Sequence, residues 1–200
     1  VIFLLSLKQG SLLVSLARSS ISSSFQNSSA KIPPEKFLSE KLGVFVTLHS
    51  FPSLELRGCI GFPLPSFALG IAVSKAALSA AFEDPRFPPL EESELSSISF
   101  EVSVLSVPAK FACPSSELPS KIIVGKHGLI VSKGFNSGLL LPQVAPEWNW
   151  NSLQFLEQCC LKAGLPKSAW KDSACTVQHF EAQVFREEKP EGKVVEEKLA

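Results

Sequence analysis

The stretch ELRGCIG, Glu55 to Gly61, sets a permanent cation and a thiol two residues apart between two glycines. The segment reads as a strand, where residues two apart project from one face, so Arg57 and Cys59 are expected to be neighbours. A guanidinium beside a thiol favours the thiolate and lowers the cysteine pKa. The pair therefore has the composition of a nucleophilic or redox centre, Cys59, with Arg57 as an anion clamp. Gly58 and Gly61 leave room for a ligand or another backbone to approach. The residue types also fit a plainer reading. Free cysteine is among the most buried residue types, and Arg57 would then make a structural ion pair. Spacing alone assigns no base to the thiol. His49 reaches it only if the preceding strand pairs as the other arm of a hairpin.

Three further clusters carry chemistry. EDPRFPP places Glu83, Asp84 and Arg86 where a helix ends, so that two carboxylates face the negative end of its dipole. Such a placement calls for pairing with Arg86 or Arg57, as a stiffened loop or as part of a binding site. VGKHGLIV sets Lys126 and His127 between two glycines at a turn, which can present backbone N–H groups to an anion with Lys126 adding charge. It lacks the GK[ST] ending of a phosphate-binding loop, and an ordinary hairpin turn is the competing reading. LLLPQVAPEWNW carries Gln143 beside Trp148 and Trp150, a partner surface if exposed and core if buried.

The elements that must position these residues follow from periodicity and turn chemistry. Ser6 and Gln9 fit a capping box ahead of a helix over 7–25. GVFVTLHS and ELRGCIG predict an antiparallel strand pair, after which Pro63 and Pro65 break the sheet and Ser66 caps an Ala-rich helix to Phe82. A short helix at 91–97 precedes the alternating strand ISFEVSVLS. Short strands punctuated by glycines over Lys121–Val144 predict a smaller β lobe at about 107–146, with KGFNSG as a hairpin turn. NSLQFLEQCCLKAG predicts a helix ending at Gly164. TVQHFEAQVFREE predicts one long closing strand, and 188–200 a loose charged tail. Strands joined by hairpins and long excursions predict an α+β fold, a mainly antiparallel sheet packed with helices in a larger lobe beside the smaller one.

Composition narrows the function classes. The 200 residues suit one domain, and a hydrophobic content of 45% supplies an ample core. Nineteen Lys and Arg balance nineteen Asp and Glu, which argues against generic nucleic-acid binding. The five cysteines and three histidines follow neither a disulfide framework nor a metal-ligand spacing, so reduced thiols, no metal, no cofactor and a cytoplasmic setting are expected. The apolar run VIFLLSL is too short for a membrane span and lacks the basic region of a signal peptide.

LRGCIG, EDPRFPPL, VGKHGLIV and GLLLPQV, in this order, resemble the AMMECR domain family, in the version found in stand-alone archaeal members. The likeness runs from about Val44 to Phe185. It implies a single domain with an α+β fold and places the LRGCIG segment near a groove between a larger and a smaller lobe. By motif match it marks Arg57, Gly58, Cys59, Gly61, Asp84, Arg86, His127 and, more weakly, Gln143 as hallmark positions. Family relatives occur beside a Memo-like domain and a radical-SAM protein, which implies a shared pathway with them.

Two functional expectations result. In the first, the groove binds a small anionic ligand and acts on it: Cys59 is the nucleophile or redox centre, Arg57 holds the anion, and His127 or Asp84 handles protons. In the second, the groove is a non-catalytic regulatory or partner-binding module. Arg57, Arg86, Lys126 and backbone N–H groups then recognise a ligand or a protein segment, with Gly58, Gly61 and Gln143 shaping the site.

Overall fold

The computed structural model describes residues 4–197, so the start of the apolar N-terminal run and the end of the charged tail lie outside the described residues. In chain order the elements are helix α1 (Leu7–Phe25), strands β1 (Gly43–Ser50) and β2 (Glu55–Phe62), helix α2 (Leu69–Phe82), and strands β3 (Ile98–Leu105) and β4 (Ala109–Lys110). Helix α3 (Leu118–Lys121), strands β5 (Gly128–Lys133) and β6 (Asn136–Leu140), and helices α4 (Val144–Glu147) and α5 (Ser152–Lys162) follow. Strands β7 (Thr176–Phe180), β8 (Ala182–Glu187) and β9 (Val194–Glu197) complete the chain. The fold is α+β, with antiparallel pairing of β1 with β2 and β3, of β5 with β6 and β7, and of β8 with β9.

The chain divides into two compact units, one comprising residues up to Leu105 together with the segment from Gln183 onward, the other Ser106–Ala182. The first unit is built on a five-stranded sheet of order β2-β1-β3-β8-β9. Val44, Val46 and Leu48 of β1 and Phe100 and Val102 of β3 alternate into a core shared with α1 and α2. The complementary face carries Thr47 of β1, Cys59 of β2, and Glu101 and Ser103 of β3. Helix α1 starts as its sequence predicts: the Gln9 N–H donates to Ser6 Oγ and the Ser6 N–H to the Gln9 side chain. Its buried line runs Leu13, Leu16, Ala17 and Ile21. Helix α2 starts at Leu69 rather than after Ser66. The Ser66 N–H is engaged by the Leu64 carbonyl in the proline-broken turn, and Ala68 still bridges to Lys41 in extended conformation. The small residues Ala72, Ala76 and Ala80 then let α2 lie close on the sheet.

The second unit carries a four-stranded sheet of order β4-β7-β5-β6. Its own core gathers Leu118, Leu129, Val131, Phe155, Leu156, Cys159, Cys160 and Trp170. The range 107–146 lies within this unit, and α5 and β7 belong to it as well.

Two further sequence expectations are corrected. TVQHFEAQVFREE is not one strand: it breaks at Glu181 into β7, paired with β5, and β8, in the other sheet. At the break the Ser106 N–H donates to the Glu181 carbonyl and the Glu181 N–H to Ser106 Oγ. Alternation alone cannot reveal such a change of sheet, because the side-chain period of two continues through it. The charged tail is also not loose throughout, since Val194–Glu197 adds β9 to β8 with Val195 opposite Arg186.

Candidate functional site

The residues marked in the sequence fall into two groups, one in each unit. In the first unit, β2 is the outer strand of its sheet. Cys59 stands directly opposite Thr47 of β1 and turns its own N–H and C=O away from that strand. In such a non-hydrogen-bonded antiparallel pair the side chains are at their closest. The Thr47 hydroxyl accordingly donates to the Cys59 sulfur at 3.3 Å.

The exposed backbone of Cys59 is covered by the loop that follows α2. The Cys59 N–H donates to Asp84 Oδ2 at 2.8 Å, and Arg86 Nη2 donates to the Cys59 carbonyl at 3.2 Å. Asp84 and Arg86 thus supply the acceptor and donor that a neighbouring strand would supply. They close one rung of an otherwise open sheet edge. The Asp84 carboxylate also receives Arg86 Nε at 2.9 Å, Arg86 Nη2 at 2.7 Å and the Arg86 N–H at 3.1 Å. Its side chain is 2% exposed, that of Arg86 52%. The Arg86 guanidinium, aided by the Cys59 and Arg86 N–H groups and opposed by burial, holds the Asp84 carboxyl well below the usual carboxylate range. Pairing with Arg86 thus resolves the placement of Asp84 after a helix C-terminus. Glu83, the other carboxylate there, accepts from the Ser79 hydroxyl.

The cation that faces the thiol is Arg86 rather than Arg57. A register shift in the β1–β2 pair between Leu48 and His49 falls at Arg57. The Arg57 guanidinium is engaged elsewhere, with Nε and Nη2 on the two Glu94 oxygens at 2.9 and 3.0 Å and Nη1 on the Pro88 carbonyl at 3.0 Å. This fork holds Glu94 ionised, its pKa lowered by Arg57 first of all. Phe87 lies beside both guanidinium groups, 6.0 Å from Arg57 Cζ and 5.5 Å from Arg86 Cζ. Burial pushes the Cys59 thiol pKa up. It outweighs the Thr47 hydroxyl and the Arg86 guanidinium, which pull it down. The sulfur is therefore a thiol at neutral pH.

Gly58 and Gly61 meet protein. A Cβ on Gly58 would overlap the Ala80 carbonyl of α2, and one on Gly61 would overlap the Phe45 ring and the Val44 carbonyl. His49 does not reach the thiol; its Nε2 faces Glu101 at 3.7 Å and its Nδ1 the Leu54 carbonyl at 3.3 Å.

In the second unit, the turn before β5 places Lys126 Nζ 3.4 Å from Glu181. His127 is buried, and its Nδ1 accepts from the Ile123 N–H. With Nδ1 an acceptor, the neutral ring carries its proton on Nε2. His127 packs 4.8 Å from the His179 ring and 5.9 Å from Phe111. Burial, with His179 and Lys126, lowers its pKa against the pull of Glu181. Gln143 sits at the start of α4, its Oε1 buried without a hydrogen-bond partner among the described residues.

Sequence reasoning missed Thr47, Glu94, Glu101 and His179. For Thr47 and Glu101 the only available signal was the polar alternation of β1 and β3, which has no meaning for Cys59 until the register is fixed. Among the described residues no group of three or more His, Cys, Asp or Glu is placed to hold a metal ion, and no helix is long and apolar enough to cross a membrane.

Comparison with known proteins places this arrangement in context. The profile of the family described as AMMECR1 matches residues 14–185. A protein of Thermococcus gammatolerans is 51% identical over 191 residues, covering 92% of this chain and 93% of its own. Protein MK0488 of Methanopyrus kandleri is 51% identical over 201 residues, with 98% and 97% covered. A protein of Aquifex aeolicus is 45% identical over 185 residues, covering 91% of this chain and 94% of its own. Among solved structures, that of the uncharacterized protein PH0010 from Pyrococcus horikoshii superposes with a TM-score of 0.86 at 45% identity, over 96% of this chain and 98% of that one.

Proposed function

The chain belongs to the AMMECR1 family, and from that premise we propose that its RGCIG strand and EDPRF loop form a binding site for a small anionic ligand, with Arg86 as the recognising cation and no covalent step at Cys59. The observation that carries this reading is the presentation of Arg86. Asp84 grips it from behind through Nε and Nη2. Nη1 has no hydrogen-bond partner among the described residues, and half of the side chain is at the surface. A guanidinium held on one edge and open on another is pre-organised to donate to a carboxylate or phosphate oxygen.

The same chemistry speaks against nucleophilic catalysis. Thiolate is the reactive form of cysteine, and burial of Cys59 disfavours it. Asp84 is ionised and holds four donors, a setting suited to positioning rather than to proton transfer at neutral pH. Arg57 has each guanidinium nitrogen engaged internally and acts on the site by fixing the strand and loop.

Calorimetric or NMR titration of the whole chain with inorganic phosphate and with hexanoate tests the proposal. A charge-assisted hydrogen bond contributes about 1.5–3 kcal/mol, so Arg86→Met is expected to weaken binding roughly 10- to 150-fold. Cys59→Ser is expected to leave it within about threefold. Unchanged binding in Arg86→Met, or alkylation of Cys59 at pH 7 faster than a free thiol, would overturn the reading.

A further inference from the structure

The face of the first unit's sheet that turns away from α1 and α2 carries a cleft that neither the motifs nor the comparisons mark. Leu48 of β1 and Phe100 of β3 point into the core, so their chain neighbours His49, Ser99 and Glu101 point the other way. In β8, Phe185 lies in the core and Glu187 bonds to Arg18 of α1, which turns Arg186 to the same side as His49. Strand β9 adds Glu197, opposite Val184, with its carboxylate 2.9 Å from Arg186 Nε. Together with Leu54 of the β1–β2 turn these residues line a cavity of about 240 Å³. One water molecule takes up roughly 30 Å³. The cavity is open to solvent, for the side chains of His49, Arg186 and Glu197 are 28%, 37% and 46% exposed.

The charges along its wall do not balance. Glu197 takes up Arg186, and Arg18 takes up Glu187, a further carboxylate at the wall. Glu101 is left over. Its side chain is 17% exposed, and among the described residues its one ionic neighbour is His49 Nε2 at 3.7 Å, longer than a hydrogen bond. A carboxylate with so little water around it calls for a cation. His49 answers that call only when protonated. Its Nε2 faces Glu101 and its Nδ1 the Leu54 carbonyl, two acceptors, whereas the neutral ring has a single N–H to give. Ser99, 3% exposed, adds a hydroxyl to the same wall, and its contact with the His49 carbonyl is 3.5 Å long.

We infer that this cleft binds a primary ammonium group, which Glu101 holds in place of the charged imidazole of His49. The inference goes beyond the anion site at Arg86 and does not depend on it. An ammonium brings three N–H donors to a carboxylate that has none at hydrogen-bond distance. Once Glu101 is occupied, it no longer supports the proton on His49, so ligand and proton exclude one another. The groups that face the ring are Glu101 from β3, Arg186 from β8 and the Leu54 carbonyl from the turn; Leu56, opposite it on β2, carries no charge, and Glu197 of β9 is matched by Arg186. Glu101 is foremost among them in favouring the charged ring. Its loss to the ligand releases the proton, and by reciprocity a rise in pH strengthens binding. An alkylamine keeps its own proton up to about pH 10, as lysine does.

Titration of the full chain with butylammonium and with 1-butanol, its uncharged counterpart, followed by calorimetry or NMR, tests the inference. A charge-assisted hydrogen bond corresponds to a factor of about ten or more, so butylammonium is expected to bind at pH 8.5 at least about tenfold more tightly than 1-butanol. The His49 pKa is raised above about 6.5, so the charged ring is in at least tenfold excess at pH 5.5, and affinity for butylammonium should be about tenfold lower there. Calorimetry near pH 7 in buffers of different ionisation enthalpy should show a proton released on binding to the unaltered chain, a readout that needs no variant to fold. Glu101→Gln is expected to abolish the preference over 1-butanol. His49→Gln should keep the preference and lose its pH dependence, and Arg86→Met should change neither. Nα-acetyl-lysine amide distinguishes the sources of the group: tighter binding than butylammonium assigns a lysine side chain, weaker binding a free amine, and either leaves the ammonium site standing. Equal binding of butylammonium and 1-butanol, a preference that survives Glu101→Gln, or a pH dependence that is absent from the unaltered chain or persists in His49→Gln overturns it.

Discussion

Asp84→Asn is the most informative single change, because it keeps the shape of the side chain and reverses half of its hydrogen bonding. The Asp84 carboxylate receives four donors: the backbone N–H groups of Cys59 and Arg86, and Nε and Nη2 of Arg86. An amide has one acceptor oxygen. In either orientation its NH2 group faces two of the four donors. If it faces the Oδ2 side, the Cys59 N–H loses its partner at the sheet edge. A buried donor left unsatisfied costs about 1–3 kcal/mol, and a lost charge-assisted hydrogen bond about 1.5–3. Arg86 recovers part of this because half of its side chain is at the surface. The expected loss at pH 7 is about 2–4 kcal/mol. At about 3–5 °C per kcal/mol for a unit of this size, the transition drops by roughly 6–20 °C. All three tryptophans, Trp148, Trp150 and Trp170, lie in the second unit, and the chain has no tyrosine. Far-ultraviolet circular dichroism, or hydrogen exchange at the Cys59 amide, reports on this change in the first unit.

The pH dependence of the difference gives an independent check. The pKa of Asp84 is depressed in the folded chain, so its contribution is present above the unfolded value of about 3.9 and is lost as pH falls through the folded value. The gap between wild type and Asp84→Asn should hold at pH 5, begin to close only below about pH 4, and narrow further toward pH 2. A gap smaller than 1 kcal/mol at pH 7, or one that closes between pH 7 and 5, would refute the edge-clamp assignment.

Other outcomes follow from the same geometry. Gly58→Ala drives a methyl group into the Ala80 carbonyl, whose carbon is 3.1 Å from the added atom, and overpacking of this kind destabilises by about 1–3 kcal/mol. Its effect should appear as lost stability measured by urea titration, with the affinity for hexanoate per folded molecule unchanged. His49 faces Glu101 from β3, Arg186 from β8 and the Leu54 carbonyl from the β1–β2 turn. The Glu101 side chain is the main reason its pKa is raised. Its contribution is therefore fully present below about pH 6.5 and lost as pH rises through the folded value. His49→Gln should lower stability by less than about 1 kcal/mol at pH 5.5, and the loss should shrink as pH rises, measured by urea titration at a series of pH values.

Much of this protein is legible in its residues taken in order. The capping box of Ser6 and Gln9, the turn residues that bound β1, β2 and the β5–β6 hairpin, and the alternation of β3 are local devices. Local devices act within a few residues, so the sequence displays them. Composition likewise decided that a core of this size needs no staples, and four short motifs were enough to indicate the family. The start of α2 was misplaced because Ser66 has the right side chain but is held in a turn by the Leu64 carbonyl, a bond that residue type does not display.

The site depended on tertiary structure. Arg57 and Cys59 are two residues apart, yet the register shift at Leu48/His49 and the position of Glu94 engage Arg57 elsewhere. Arg86, 27 residues from Cys59, becomes the cation beside the thiol. Thr47 and Glu101 enter only once register fixes which residue stands opposite which, since a slip of one position would send them to the other face. The thiol pKa depends on how much water burial removes, and proximity to an arginine does not decide it. Residue identity determined which groups were available for chemistry. Strand pairing and burial decided which of them meet and which carry charge, because both depend on contacts between residues far apart in the chain.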